Sequence, residues 1–289
     1  MLQGSLAILV SASAMLIASC GAGNHGVPPP KSTRVFVVVE ENHSFSEVRR
    51  NSAMPYLNGL VKKYGFATSY YANSHPSIGN YFMLTAGEIE TTDDGFTGTV
   101  SDDNIVRELV KANRTWNCYA ESLPSVGYSG GDSYPYLKHH NPFAYFSDVV
   151  GTPQANHLVP FSQFSADLGS GHLPDFSFIV PNVLNDAHDG SLGAADQWLS
   201  TNIDPLIKSS SFKDNGLLIV VFDESVQGDL AHGGGHVALV MIGSQVKTGY
   251  QSSSFYQHQS TLRLVLSTLG LTSFPGKAAS APDMGEFFR

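Results

Sequence analysis

The chain has 289 residues, 42% of them hydrophobic and only 14% charged, with 28 glycines and 15 prolines. That length supports one large domain, or at most two small ones, with a substantial core. A net charge of −9 without a basic stripe excludes a nucleic-acid binder, and an acidic protein that handles anions needs local compensation from a cation or from helix N-termini.

The first twenty residues read as an export signal rather than as fold. Leu6 to Ile17 is an apolar run shorter than the roughly 20 residues that span a bilayer, as in a signal h-region. Ile17-Ala18-Ser19-Cys20 resembles a bacterial lipobox, in which Cys20 becomes the lipidated first residue. Met1 to Ser5 lacks the usual Lys or Arg, and simple secretion with cleavage near Ala22 is the alternative. Residues 21–33, with three consecutive prolines, read as a tether. The expected destination is the cell envelope as a lipoprotein, or the periplasm or exterior. Oligomeric state leaves no mark in the sequence. The only other cysteine, Cys118, sits in an apolar stretch and reads as a buried, inert thiol.

From residue 34 to 289 a single domain is expected, in which strands and helices alternate. Arg34 to Val39 is a continuous β-branched and aromatic run, as in a strand buried on both faces. Helical spacing follows over Met54 to Tyr64, Ile78 to Ala86 and Asn104 to Ala112. Strands are predicted at Thr115 to Ala120, Phe176 to Val180, Leu217 to Phe222 and Val237 to Ile242, and helices at Leu192 to Ile207 and His258 to Leu269. This alternation predicts an α/β fold, a mainly parallel sheet sandwiched by helices. Residues 121–172 are weakly patterned and rich in Gly, Pro and Tyr, and read as a lid-like insertion.

Polar residues collect directly after the strands, where open α/β sheets place their sites. After the first strand comes Glu40-Glu41-Asn42-His43, whose carboxylate and amide suit an oxygen-coordinated cation; a solvated loop with a helix cap is the bland alternative. His75-Pro76-Ser77-Ile78-Gly79-Asn80-Tyr81 opens a helix, so Ser77 sits among free N–H groups that favour a phosphate, with Asn80 on the same face. Ser77 or His75 as a mere cap is the competing reading. Asn182 to Gly190 crowds Asp186, His188 and Asp189 into one loop, and an imidazole between carboxylates suits a phosphate ligand or general acid. Asp223-Glu224 ends the most apolar strand, and two adjacent buried acids repel unless a cation lies between them. Lys138-His139-His140 lies in the insertion, His232 and His236 flank three glycines, and His258 opens the last helix.

These four clusters, in this order, resemble the phosphoesterase family that groups bacterial phospholipases C with acid phosphatases, over about Arg34 to Leu271. The likeness is greatest to its short secreted acid phosphatases, the phosphatidylinositol-3-phosphatase-like members. The resemblance implies an alkaline-phosphatase-like fold and a single divalent metal ion, drawn from Mg, Ca, Mn, Zn or Fe. Carried over by position, Glu41, Asn42, Asp223 and Glu224 would bind the metal and Ser77 would be the nucleophile. His140 and His188 would serve catalysis, and Asn80, His139 and Lys138 would bind substrate. Asp186 and His258 match recurring positions without a settled role, and Glu224 is longer than the Asp or His of many relatives. The implied activity is an exported acid phosphatase that forms a phosphoserine on phosphate monoesters, phosphoinositides among them. A phospholipase C-type phosphodiesterase is the alternative, and a catalytically inactive lipid-anchored binding protein the second.

Overall fold

Valine, isoleucine, leucine and phenylalanine dominate four segments, and these lie side by side in the middle of one eight-stranded sheet in the computed structural model, which describes Met1 and residues 28–289. Cys20, the signal segment and the first part of the tether lie outside the described residues. The strands are β1 (Arg34–Glu40), β2 (Gly65–Ala67), β3 (Tyr70–Tyr71), β4 (Trp116–Ala120), β5 (Leu158–Pro160), β6 (Phe176–Val180), β7 (Gly216–Phe222), β8 (Leu239–Gly243), β9 (Gln251–Ser252) and β10 (Tyr256–Gln257). The sheet order is β5-β4-β6-β1-β7-β8-β2-β9, and β3 pairs with β10 in a separate short ribbon. β5, β4, β6, β1 and β7 run parallel, and β8 alone opposes them: it is antiparallel to both β7 and β2. The expected parallel α/β sheet is therefore present, with one reversed strand.

Central β1 has both edges paired, to β6 and β7, and Val35 to Val39 are at most 2% exposed, so both its faces are covered as well. That explains its unbroken apolar run. The helices are α1 (Phe45–Val48), α2 (Pro55–Lys63), α3 (Ile78–Thr85), α4 (Ile105–Lys111), α5 (Ser162–Ser170), α6 (Leu192–Asn202), α7 (Asp204–Lys208), α8 (Ser210–Asn215) and α9 (His258–Thr268). α4 starts where Asn104 accepts hydrogen bonds from the amides of Val106 and Arg107, the N-cap its sequence announces.

Three expectations change in detail. The helix predicted over Leu192 to Ile207 is two helices, because Pro205 lacks the N–H a continuous helix needs and instead opens α7. The strand predicted from Val237 begins at Leu239. Within 121–172 the chain forms β5, the edge strand of the sheet, and α5. Three residues of strand are too few to show a period in sequence.

Candidate active site

The parallel strands all end on one edge of the sheet, and the polar clusters meet there. Backbone bonds stitch the strand-end loops together: Glu41 N–H donates to the Asp186 carbonyl at 2.8 Å, and Asp223 N–H to the Glu40 carbonyl at 2.9 Å. Three loops distant in sequence thus share one floor.

Ser77 stands at the entrance of α3 but caps nothing with its side chain. Asp94 does that work instead, accepting the Ile78 N–H at 3.1 Å. The Ser77 hydroxyl is therefore free to donate to Glu41 Oε2 at 3.2 Å, with Asn42 Oδ1 at 3.5 Å. Asn42 reaches this position with a φ of +49°, a left-handed conformation asparagine tolerates better than most residues. Packing favours glycine at 79, since a Cβ there would lie 2.4 Å from Ser74 Oγ and 3.2 Å from the Thr91 carbonyl oxygen. All eight residues of α3 are buried, so the serine rests on a rigid base.

Around this hydroxyl the charges are negative. Asp223 accepts the Asn42 N–H on Oδ1 at 3.1 Å, while its buried Oδ2 has no hydrogen-bond partner. Glu224 faces Asn80 Nδ2 at 3.5 Å and His75 Nδ1 at 3.1 Å. Burial, aggravated by Asp223, pushes the Glu224 carboxyl up to about 9. Burial likewise raises Asp223 to about 6 and drives Glu41 well above the carboxylate range, with Asp223 and Asp186 adding to the latter. Glu40, the last residue of β1, is wholly buried with neither oxygen bonded, and burial, followed by Asp186 and Asp196, pushes its carboxyl well above the usual carboxylate range.

On the other side of Glu41 lies the histidine half. Tyr81 donates its hydroxyl to Glu41 Oε1 and stacks on His140 with ring centroids 5.2 Å apart. His140 places Nε2 3.5 Å from Glu41 Oε1 and Nδ1 3.5 Å from Asp186 Oδ2. Neither Nε2 nor that Asp186 oxygen makes a hydrogen bond, although both are buried. Glu41, His140 and Asp186 each offer one ligand atom, and these atoms lie within 4.8 Å of one another. Burial, then neighbouring His188, lowers His140 to about 3 and keeps it neutral, as a ligand requires; burial raises Asp186 to about 8.

The remaining expected site residues divide clearly. His188 stands at the exposed lip, its Nδ1 2.8 Å from Asp189 and its N–H held by Asp186. His139 is edge-on to His140 and buried, which lowers it to about 4. Lys138 rests its ammonium 4.2 Å from the Tyr145 ring centroid, and partial burial lowers it. Asn80 spends its carbonyl on the amides of Asn73 and Ser74, at 2.9 and 3.1 Å, and shapes the turn that presents Ser77. His258 does not face the pocket: it bonds the Asp223 carbonyl through Nε2 and Tyr70 through Nδ1, bracing the end of β7 from behind.

The phosphoesterase family profile matches residues 49–272, more than three quarters of the chain. This chain belongs to the phosphoesterase family. Among its relatives is a phosphatidylinositol-3-phosphatase from Mycobacterium tuberculosis, 30% identical over 90% of this chain and 84% of that one. A phosphate-repressible acid phosphatase of Penicillium chrysogenum is 31% identical over 75% of this chain, and this phosphoesterase spans only 55% of its length. Its fold resembles that of a Vibrio parahaemolyticus protein of the alkaline phosphatase superfamily (TM-score 0.60, 15% identity, 85% of this chain and 68% of that one). A phosphonate monoester hydrolase of Agrobacterium radiobacter is similar at a TM-score of 0.57 and 13% identity, over 89% of this chain and 77% of that one. The phosphoesterase fold is thus alkaline-phosphatase-like.

Sequence reasoning missed three supports of this phosphoesterase site. Asp94 caps α3 and releases Ser77. Tyr81 joins Glu41 to His140. Glu121 accepts Asn182 N–H and Asn185 Nδ2, both at 3.0 Å, and fixes the loop that carries Asp186. Tyr81 sits one turn after Ser77, which was signal enough; Asp94 and Glu121 carry no local signal.

Proposed function

We propose that the protein is a metal-dependent phosphomonoesterase that works through a phosphoserine on Ser77. The observation that carries this reading is the uncapped Ser77 hydroxyl, aimed at Glu41 in a buried nest of carboxylates, among which an oxygen each of Asp223 and Asp186 lacks a partner. Unpaired buried carboxylates are costly unless a cation joins them, so the residues fit a divalent ion. Glu41, Asn42, Asp223 and Glu224 would hold it, and His140 and Asp186 add donors on the far side of Glu41. When bound, such an ion lowers the pKa of the serine hydroxyl and neutralises phosphoryl oxygens.

The chain's own groups supply the rest. Ser77 donates to Glu41, so its proton has an acceptor as the oxygen attacks phosphorus in line and the alcohol departs. His188 protonates the leaving oxygen, with Asp189 fixing its ring, and as a base it then activates the water that hydrolyses the phosphoserine. Neutral His140 is ill-suited to donate that proton, and its place is among the ligands. Phosphoinositides are one candidate class of monoester. Export is part of the same reading, with lipidation at Cys20 tying the protein to a membrane. No helix of the described residues is long and apolar enough to cross one.

The deciding experiment compares a nitrophenyl monoester, a bis-nitrophenyl diester and nitrophenyl phosphorylcholine, with and without chelator. Monoester preference abolished by chelator and restored by a divalent ion is expected. Diester preference would move the protein to the phospholipase C type, and chelator-resistant turnover would remove the metal from the mechanism.

A further inference from the structure

The cations of this acidic protein are unevenly placed, and the unevenness follows the sheet. Six of its 16 Lys and Arg residues, Lys31, Lys62, Lys63, Lys208, Lys213 and Lys247, gather at the end of the strands opposite the active site. Lys31 precedes β1, Lys62 and Lys63 precede β2, Lys208 and Lys213 precede β7, and Lys247 follows antiparallel β8. Contacts join them into one face. Lys63, Lys208 and Lys213 line a single depression floored by Leu60, Ile207 and Phe212. The Lys31 carbonyl accepts Asn215 Nδ2 at 2.6 Å, and the Lys63 carbonyl accepts the Gly249 N–H at 3.1 Å. Seven residues of β7, or roughly 23 Å, separate this face from Asp223.

These charges face water and are mostly unpaired. All but half-buried Lys247 are exposed. Among the described residues only Lys208 of the six forms an ion pair, with Asp204. The segments 31–34, 60–64, 204–215 and 243–249 hold just one further acid, Asp214. Helix dipoles explain four of the lysines one by one, since Lys62 and Lys63 close α2, Lys208 closes α7 and Lys213 closes α8. Lys31 and Lys247 close no helix, yet they join the same face. The chain also enters the domain here: the Thr33 N–H donates to the Asn215 carbonyl at 3.1 Å, two residues after Lys213. Upstream lie the apolar run Leu6 to Ile17 and Cys20, the expected lipidation point. The stretch from Cys20 to Lys31 reaches at most about 40 Å, so an anchor at Cys20 keeps these lysines beside the bilayer that holds it. A lipid signal and a polybasic patch reinforce each other on an anionic surface.

We infer that the lysine face lies on the anionic surface of the membrane that holds the N-terminal anchor, so that the active edge points away from it. This rests on the phosphomonoesterase reading and on the anchor at Cys20, and it names the source of substrate. The site takes water-soluble phosphate monoesters from the surrounding medium, not lipids of the anchoring bilayer.

The test mixes the full chain and its divalent ion with vesicles of phosphatidylcholine, pure or with about one third phosphatidylglycerol, and follows lysine acetylation by mass spectrometry. On the anionic vesicles Lys62, Lys63, Lys208 and Lys213 should react at least about threefold more slowly than on pure phosphatidylcholine. Lys138, at the active edge, should be unchanged, and high salt should abolish the difference. The quadruple variant Lys62→Gln, Lys63→Gln, Lys208→Gln, Lys213→Gln touches no part of the catalytic machinery. Its release from anionic vesicles into excess phosphatidylcholine acceptors should quicken at least about tenfold, with nitrophenyl phosphate turnover within about twofold of the parent. Long-chain phosphatidic acid in the vesicle that carries the protein should be hydrolysed at least about tenfold more slowly than its water-soluble dibutanoyl form. Equal acetylation on both vesicle types, or protection of Lys138 in place of the four, would overturn the docking and leave the phosphomonoesterase reading intact. Fast hydrolysis of the embedded lipid would overturn the outward-facing site. Protected lysines on a protein that hydrolyses no monoester would remove the phosphomonoesterase reading instead. If light scattering shows self-association that the variant loses, the face is a contact between copies and the inference is wrong.

Discussion

The middle of the sheet and its active edge lie only one or two residues apart along the same strands, yet their energetics are opposite. In β1 and β7, Val35 to Val39 and Leu217 to Phe222 are almost completely buried among apolar neighbours. One residue later Glu40, Glu41, Asp223 and Glu224 are just as buried, and several of their oxygens are unpaired. The apolar stretch stabilises the fold, and the carboxylate edge draws on that stability. The lesson is that the site is tolerable because rigid β-structure ends there, and that loss of function and loss of stability should separate cleanly between the two regions.

The largest expected effect is at the hydroxyl itself. Ser77→Ala should lower monoester turnover by at least about a thousandfold, with the melting temperature unchanged, because Asp94 and not Ser77 caps α3. Wild-type turnover in this variant would end the nucleophile assignment. Glu224→Gln comes next: activity should fall about a hundredfold or more, while metal-free stability in urea rises by about 1–3 kcal/mol, because the unfolded chain no longer gains by ionising a carboxyl that the folded state keeps protonated. Destabilisation instead would mean that burial does not hold the Glu224 proton.

Ile219→Ala probes the other region, since Ile219 is fully buried in β7. It should cost about 2–5 kcal/mol in urea and leave kcat of the folded protein within about twofold. The smallest effect is the pH slope of the metal-free protein. Asp186 at about 8 and Glu224 at about 9 hold protons that the unfolded chain has released. Between the ordinary carboxylate range and those values the folded state binds more protons, so stability falls as pH rises. Neutral His258, lowered to about 4, acts oppositely, contributing stability that is present above the unfolded histidine value and lost as pH falls towards 4. Metal-free melting temperatures should therefore decline most steeply above the ordinary histidine value of 6.5, where His258 no longer opposes the carboxyls, and adding the divalent ion should flatten that decline. A metal-free melting temperature that climbs through pH 8 would contradict protonated edge carboxylates.

Legibility followed locality. β1, β6, β7 and α9 were readable because a buried strand or an amphipathic helix writes its environment into nearby side chains. β5 and β9, two or three residues long, are strands only because a neighbour pairs with them. The site behaved alike. Glu41, Asp223 and Glu224 were visible because acids directly after apolar strands are anomalous. The approach of His140 to Glu41 and Asp186 was not visible, since it depends on how the 121–141 segment folds back over the strand ends.

By itself, then, the sequence determined the α/β class, the chemistry-bearing residue types and the strand ends they follow, because these depend on neighbours along the chain. Only the tertiary structure decided that β8 runs backwards, that Asp94 frees Ser77, that His258 braces the end of β7, and that His140 meets Glu41 and Asp186. Each of these is a contact between segments far apart in sequence, and no local pattern encodes the geometry of such a meeting.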